Sequence, residues 1–181
     1  MNYFQKYLKY KNKYLSFRQI AGSRASKSAK ADLYQAIKNF YRDPDEKNIG
    51  RHIETILRLI TPDSAKNRNR RGMLPLHVII YMSTKKNNAI IDIVRKLVSD
   101  YPESVKEIYL SGDLPLHIAI MYKAPIEVVS ILLSSYPDGS KFIANEKLPI
   151  HLAASVNASI DVIRILLSAY PESVRKHTKK N

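Results

Sequence analysis

Leu74-Pro75-Leu76-His77 decides the fold, because this tetrapeptide recurs twice farther along the chain. It returns, at spacings of 40 and 34 residues, as Leu114-Pro115-Leu116-His117 and Leu148-Pro149-Ile150-His151. A second marker keeps the same phase, at spacings of 35 and 34 residues: Tyr101-Pro102, Tyr136-Pro137 and Tyr170-Pro171. The two periods together predict a repeated structural unit, with extra residues in the first copy around Ser83 to Asn88.

Each unit is predicted to form two short helices. Proline has no N–H to lose at the first position of a helix, so the first helix of each unit begins at Pro75, Pro115 or Pro149. The second helix carries one apolar stripe in an i, i+1, i+4, i+5 pattern. The stripes are Ile93, Val94, Leu97, Val98; Val128, Val129, Leu132, Leu133; and Val162, Ile163, Leu166, Leu167. The Tyr-Pro pair then ends that helix, and Ser159 is predicted to cap the third.

A weaker unit precedes these three. Ala31 to Ile37 is its predicted first helix, and the second lies within Ile53 to Asp63, with its proline two residues early. Degenerate end units shield the core of a stacked array from water. The predicted organisation is a basic Tyr-rich helix at 1–17, a flexible linker at 18–30, a capping unit at 31–72, repeats at 73–112, 113–146 and 147–172, and a basic tail at 173–181.

Residues 73–172 resemble the ankyrin repeat, and residues 31–72 resemble it weakly. That unit has about 33 residues, with a β-turn and two helices, and opens with Thr-Pro-Leu-His-x-Ala. Ala119 and Ala153 match the alanine, whereas Ile79 replaces it in the first repeat. The resemblance implies an all-α ankyrin-repeat solenoid of about four stacked helix-turn-helix units, preceded by a basic N-terminal helical segment.

The repeats depart from the usual ankyrin pattern in a consistent way. Leucine stands where the family has threonine, at Leu74, Leu114 and Leu148. Tyr-Pro-Glu or Tyr-Pro-Asp stands where Gly-Ala-Asp is typical. This variant is similar to ankyrin repeats of some protists and giant viruses. The opening stretch at 6–15 is also similar to the leader on many proteins of mimivirus-type giant DNA viruses. The resemblance implies a viral protein in the cytoplasm of an infected cell, in a viral factory or in the virion.

Composition and charge narrow the function classes. The chain has 181 residues, of which 45% are hydrophobic, and this balance is typical of a folded protein. It has no cysteine, which excludes disulfides and thiolate metal sites and suits a reducing compartment. Its first residues contain no apolar stretch long enough for a signal peptide or a membrane span. Segments 1–30, 66–72 and 171–181 together carry a charge of +15. Because the net charge of the whole chain is +14, the remaining body is nearly neutral.

The repeat histidines are interpreted as structural residues. Zinc ligands lie about 2.0 to 2.1 Å from the ion. Equivalent positions on stacked helices lie about 8 to 10 Å apart, so His77, His117 and His151 are not expected to share one metal. The sequence also has no glycine-rich phosphate loop and no acid pair beside a nucleophile. We therefore expect no catalysis, no cofactor and no metal.

The ankyrin resemblance implies a concave protein-binding face, lined by the first helices and the turns between units. Exposed Met and Tyr suit an adaptable protein interface. The alternative is that these side chains pack under the loop at 83–88 or against the N-terminal segment. The predicted partner-binding residues are Tyr81, Met82, Asp113, Met121, Tyr122, Lys147 and Ser155.

The N-terminal arm has two interpretations. Tyr3, Tyr7, Tyr10 and Tyr14 would form an aromatic stripe on a helix, which could dock on the first unit or on a partner. Alternatively, basic residues contact phosphates and tyrosines stack on bases. The candidate contacts for nucleic acid or another anion are Lys6, Lys9, Lys11, Lys13, Arg68, Arg70 and Arg71. The leading prediction is a non-catalytic protein–protein interaction module, and the alternative is a nucleic-acid-associated protein.

Overall fold

The computed structural model describes residues 29–43, 45–83, 88–109 and 111–175. Within these ranges the chain is all α, with no β-strand beyond one isolated bridge between Ala144 and Lys147. The α-helices are α1 (Ala29–Arg42), α2 (Ile49–Leu59), α3 (Pro62–Lys66), α4 (Pro75–Tyr81), α5 (Ile91–Asp100), α6 (Pro115–Met121), α7 (Ile126–Ser135), α8 (Pro149–Ser155) and α9 (Ile160–Ala169). Short 3₁₀ segments lie at Glu46–Asn48, Asn88–Ile90, Pro102–Lys106, Pro137–Lys141 and Pro171–Arg175. The predicted helix at 1–17 and most of the predicted linker lie outside the described residues.

The helices pack in two rows. Helices α1, α4, α6 and α8 contact one another in that order and form the first-helix row. Helices α2, α5, α7 and α9 do the same and form the second-helix row. Each first helix also packs on the second helix of its own unit, so one continuous apolar core runs between the rows.

The repeated prolines and tyrosines set the helix boundaries as predicted. Pro75, Pro115 and Pro149 are the first residues of α4, α6 and α8, and all three are buried. Helices α5, α7 and α9 end immediately before the Tyr-Pro pairs, where the tyrosine φ lies between −142° and −148°. The hydroxyl oxygen of Ser159 accepts a hydrogen bond from the Val162 N–H at 3.4 Å, which caps α9.

The apolar stripes of the second helices form the core. All four stripe residues of α5 and all four of α7 are buried. In α9, Val162 and Leu166 are buried, whereas Ile163 and Leu167 are only partly covered. Complete burial of such a side chain stabilises the fold by about 1.5 to 3 kcal/mol.

The first unit differs from its sequence-based prediction in its boundaries. Helix α1 begins at Ala29, inside the predicted linker, and continues to Arg42. Helix α2 ends at Leu59 because a capping box starts α3 at once. In that box the Thr61 side chain accepts from the Ser64 N–H, and the Ser64 side chain accepts from the Thr61 N–H. Helix α2 also begins at Ile49, before the stretch that starts at Ile53 in the prediction.

Tight turns connect successive units. The Asn69 N–H donates to the Met73 carbonyl at 2.9 Å, and the Tyr109 N–H donates to the Asp113 carbonyl at 3.0 Å. Gly72 and Gly112 have positive φ angles of 72° and 83° in these turns. The third turn is shorter, and Glu146 has a φ of 66° two residues before Leu148, where the other turns have glycine. A residue with a Cβ is strained in this conformation.

Candidate protein-binding surface

Two tyrosines form the centre of the predicted binding surface. Tyr81 is the last residue of α4, and Tyr122 directly follows α6. Their ring centroids lie 4.6 Å apart with an interplanar angle of 56°, so the pair links two neighbouring units. Both side chains are half-buried. Ring pairs of this kind contribute about 0.5 to 1.5 kcal/mol of stability beyond the effect of their burial. The contact holds the two rings together and leaves part of each ring exposed.

The end of α6 places Tyr122 in this position. The Ala124 N–H donates to the Ala119 carbonyl at 2.9 Å, and the Lys123 N–H donates to the Ile120 carbonyl at 3.1 Å. Lys123 has a φ of 50°, which is a left-handed helix end of the kind usually made by glycine. The chain therefore turns away sharply after Tyr122 and leaves its ring at the surface.

The neighbouring predicted residues divide into exposed and buried ones. Met121 is half-buried, and Ser155 is exposed while its hydroxyl donates to the Leu152 carbonyl at 2.8 Å. The prediction was wrong for Met82, which is only 6% exposed and belongs to the apolar core. We define the tyrosine surface as Tyr81, Met121, Tyr122 and Ser155.

Asp113 is buried, which corrects its predicted place at the border of a binding face. The residue is 3% exposed, and its carboxylate accepts a hydrogen bond from the Ser111 hydroxyl. The Asn145 side-chain amide of the next turn donates to the same carboxylate at 3.3 Å and to the Ser111 carbonyl at 3.1 Å. Asp113 therefore joins two successive turns. Lys147, another predicted contact, is half-buried in the second of these turns.

Arg68 is also engaged within the fold, although the sequence suggested an anion contact. Its guanidinium forms an ion pair with Glu107 in the next turn and donates to the Gly72 carbonyl at 2.7 Å. The Tyr101 hydroxyl donates to the same Glu107 side chain at 2.9 Å. Arg70 remains exposed, and Arg71 is half-buried. The predicted contacts Lys6, Lys9, Lys11 and Lys13 lie outside the described residues.

The three repeat histidines lie in different surroundings. His77 is fully buried: its Nδ1 accepts from the Leu74 N–H at 3.2 Å, and its Nε2 lies 2.9 Å from the Glu107 carbonyl. Burial lowers the pKa of His77 to about 4, and the Glu107 carbonyl opposes part of this change. His151 is half-buried.

His117 is as buried as His77 but less well bonded. Neither ring nitrogen has a partner in hydrogen-bonding geometry. Its ring meets the edge of the Phe142 ring at a centroid distance of 5.9 Å. Burial lowers the pKa of His117 to about 4 as well, and the nearby backbone of Phe142 and Lys147 opposes part of this change. Both residues therefore stay neutral at pH 7, in agreement with a structural role.

A repeated lysine–tyrosine contact was not predicted. The Lys66 ammonium lies 5.7 Å from the centre of the Tyr101 ring, and the Lys106 ammonium lies 5.9 Å from that of Tyr136. Each lysine comes four residues after a proline and meets the tyrosine of the following unit. This repeated spacing was the sequence signal from which the contacts could have been predicted. These contacts give the Tyr-Pro pair a second role, in joining units.

Among the described residues, no three His, Asp or Glu side chains come close enough together to hold a metal ion. In the same part of the chain, no helix combines the length and apolar character needed to cross a membrane.

Comparison of the sequence with protein-family models and with curated proteins finds no match.

Proposed function

We propose that this chain is a variant ankyrin-repeat solenoid that binds a protein partner and catalyses no reaction. Four helix pairs in two rows, separated by tight turns, support this assignment because the ankyrin unit consists of a turn and two helices. The equivalent positions of the repeated prolines also support it. The giant-virus resemblance suggests a viral or host protein as the partner, met in the infected cell or the virion.

The half-exposed Tyr81–Tyr122 pair is the observation that carries the binding proposal. Tyrosine is enriched at protein interfaces because it presents a large, rigid area with a polar end. Here two such side chains are held together across two units, so little conformational freedom is lost when a partner covers them. Met121 and Ser155 extend the same surface along the first-helix row.

The proposal is tested by measuring capture of partners from cells that naturally contain the protein. Replacing both tyrosines, Tyr81→Ala with Tyr122→Ala, is expected to weaken the affinity for the main partner about 30-fold. This corresponds to a loss of about 2 kcal/mol in binding free energy, as is found for important interface residues. The matched control is Arg95→Ala with Glu127→Ala, which truncates exposed side chains on the second-helix row instead. An unchanged set of partners after the tyrosine substitutions would contradict the tyrosine surface.

Nucleic-acid binding is the second candidate, favoured by the +15 charge confined to three segments. Against it, Lys66 lies over Tyr101 and Arg68 pairs with Glu107, so two of the four basic residues at 66–72 are engaged within the fold. This candidate predicts affinity for duplex DNA or RNA that falls about a thousandfold between 50 and 200 mM salt if six phosphates are contacted. Changing Lys6, Lys9, Lys11 and Lys13 to Gln should reduce that salt dependence, and salt-insensitive binding would exclude this mode.

A further inference from the structure

The third turn, residues 142–147, covers the buried ring of His117. The Phe142 ring meets this ring at a centroid distance of 5.9 Å, and the backbone of Phe142 and Lys147 lies close enough to oppose part of the fall in its pKa. His117 is 0% exposed. Water can therefore reach the ring when this turn lifts away from α6.

The equivalent histidine of the preceding repeat is bonded to its turn. The Nε2 atom of His77 lies 2.9 Å from the Glu107 carbonyl, and its Nδ1 atom accepts a hydrogen bond from the Leu74 N–H. Neither ring nitrogen of His117 has a partner in hydrogen-bonding geometry, and α6 begins without a side-chain cap. The third turn is also one residue shorter than the second turn, residues 107–113. It therefore lies over its histidine without the bonds that hold the second turn in place.

The backbone of the third turn is strained. Asn145 and Glu146 have φ angles of 48° and 66°, whereas the second turn has a glycine, Gly112, in its left-handed position. This conformation is unfavourable for a residue with a Cβ, and more so for glutamate than for asparagine. The exposed Asn145 amide donates to the Ser111 carbonyl at 3.1 Å and to the Asp113 carboxylate at 3.3 Å, and both bonds are replaced by water when the turn opens. Opening therefore relieves strain and breaks few bonds.

The charged groups around His117 do not replace the missing bonds. Helices α4, α7 and α8 and the 3₁₀ segment Pro102–Lys106 pack against α6, and the 3₁₀ segment Pro137–Lys141 lies beside its Leu116. The titratable residues on these elements and in the two turns are His77, Tyr81, Glu103, Lys106, Glu107, Tyr109, Asp113, Glu127, Asp138, Lys141, Glu146, Lys147 and His151. Among the described residues, none bonds to either nitrogen of the ring. A proton on the ring beneath the closed turn would therefore be an unpaired buried charge.

We propose that the third turn is a pH-sensitive switch at the junction of the second and third repeats, closed over neutral His117 at pH 7 and lifted from the ring when the ring takes up a proton. An unpaired charge is costly beneath the closed turn, and water solvates it once the turn is open. The second turn remains closed until the whole array unfolds, because His77 is bonded to it. This inference goes beyond the proposed binding function and does not depend on the tyrosine surface.

Hydrogen exchange of single amides, followed by NMR on the full chain at pH 7 and pH 5, tests the switch. The Ala144 N–H, bonded to the Lys147 carbonyl at 3.0 Å, monitors the third turn. The Tyr109 N–H, bonded to the Asp113 carbonyl at 3.0 Å, is the matched amide of the second turn. After correction for intrinsic exchange, the open population of the third turn is expected to rise about 20-fold from pH 7 to pH 5. The reason is that the pKa of His117 is 6.5 when the ring is exposed and about 4 when it is buried.

At pH 5 we expect Ala144 to be at least tenfold less protected than Tyr109, because the opening of the third turn is local. Equal protection of the two amides at both pH values would show a single global unfolding and would overturn the proposal. An open population of the third turn that does not change with pH would overturn it as well.

The His117→Leu variant tests whether this ring carries the pH response. Leucine takes up no proton, so the open population of the third turn is expected to stay within about twofold between pH 7 and pH 5. The control is His151→Leu, which changes the equivalent residue of the third repeat and should keep the full rise. A full rise that persists in the His117→Leu variant, or one that is lost in the control alone, overturns the assignment to His117.

The Glu146→Gly variant tests the contribution of backbone strain. Glycine adopts a positive φ without a Cβ clash, so the closed turn is expected to become more stable and the open population at pH 7 to fall about threefold. The rise from pH 7 to pH 5 should remain, because His117 is unchanged. An open population that stays the same or increases would show that strain does not favour opening.

Discussion

Lowering the pH from 7 to 4 is expected to reduce the free energy of unfolding by about 6 kcal/mol, about 3 from each of two buried histidines. Burial lowers the pKa of both His77 and His117 from 6.5 to about 4. The unfolded chain therefore takes up protons between pH 6.5 and 4 that the folded chain does not. Stability is complete above pH 6.5 and is lost as the pH falls towards 4.

This loss is large beside the 5 to 15 kcal/mol that stabilises a typical domain. Asp43 acts in the same direction, because the hydrogen bond from His52 lowers its pKa. Arg68 and Glu107 also face His77, and their opposite charges act on its pKa in opposite directions. We therefore expect the histidines to dominate the pH dependence over this range.

Urea unfolding at pH 7, 5.5 and 4 measures this dependence. A His117→Leu variant should lose about half of it, because one of the two titrating groups has gone. A midpoint that stays constant from pH 7 to 4 would show that neither histidine is held neutral by burial.

Replacing His77 with leucine is expected to lower the free energy of unfolding by about 3 kcal/mol at pH 7, whereas His117→Leu should change it by less than about 1. His77 accepts from the Leu74 N–H and lies 2.9 Å from the Glu107 carbonyl, thirty residues away in the sequence. Leucine leaves both backbone groups unpaired, each at a cost of about 1 to 3 kcal/mol. The ring nitrogens of His117 lie near the Phe142 and Lys147 backbone but outside good hydrogen-bonding geometry, so leucine removes weaker interactions there.

The two variants are matched, because they make the same change at equivalent positions of successive units. Denaturant midpoints and m-values at pH 7 compare them directly. Equal destabilisation by both substitutions would show that packing around the ring, and not hydrogen bonding by His77, determines the cost. At pH 5 the His117→Leu chain should be more stable than the unmodified one, since it no longer buries a group that protonates on unfolding.

The helix boundaries could be predicted because their causes are local. Proline lacks an N–H, restricts the residue before it and therefore marks both the start of α6 at Pro115 and the end of α7 before Pro137. Ser159 caps α9 through a bond to a residue three positions away. Each of these signals lies within a few residues of the boundary it sets.

Burial of the turn residues could not be predicted, because it depends on groups from the next unit. Asp113 is shielded with the help of Asn145, and Arg68 is paired by Glu107, at separations of 32 and 39 residues. Hydrophobic periodicity identifies the inward side of a helix but not what covers a turn. The helical pattern likewise predicts Met82, directly after α4, at the surface, whereas the residue is part of the core.

Three hydrogen bonds between units each reach the neighbouring unit: Tyr34 to Met73, Arg68 to Glu107 and Asn145 to Ser111. Sequence distance and spatial distance therefore increase together along the array. A chain pulled by its two ends would transmit force through each contact in series, and terminal units would detach before inner ones. We expect such a molecule to unfold in steps under force, whereas a domain held together by pairing of distant strands unfolds in a single event.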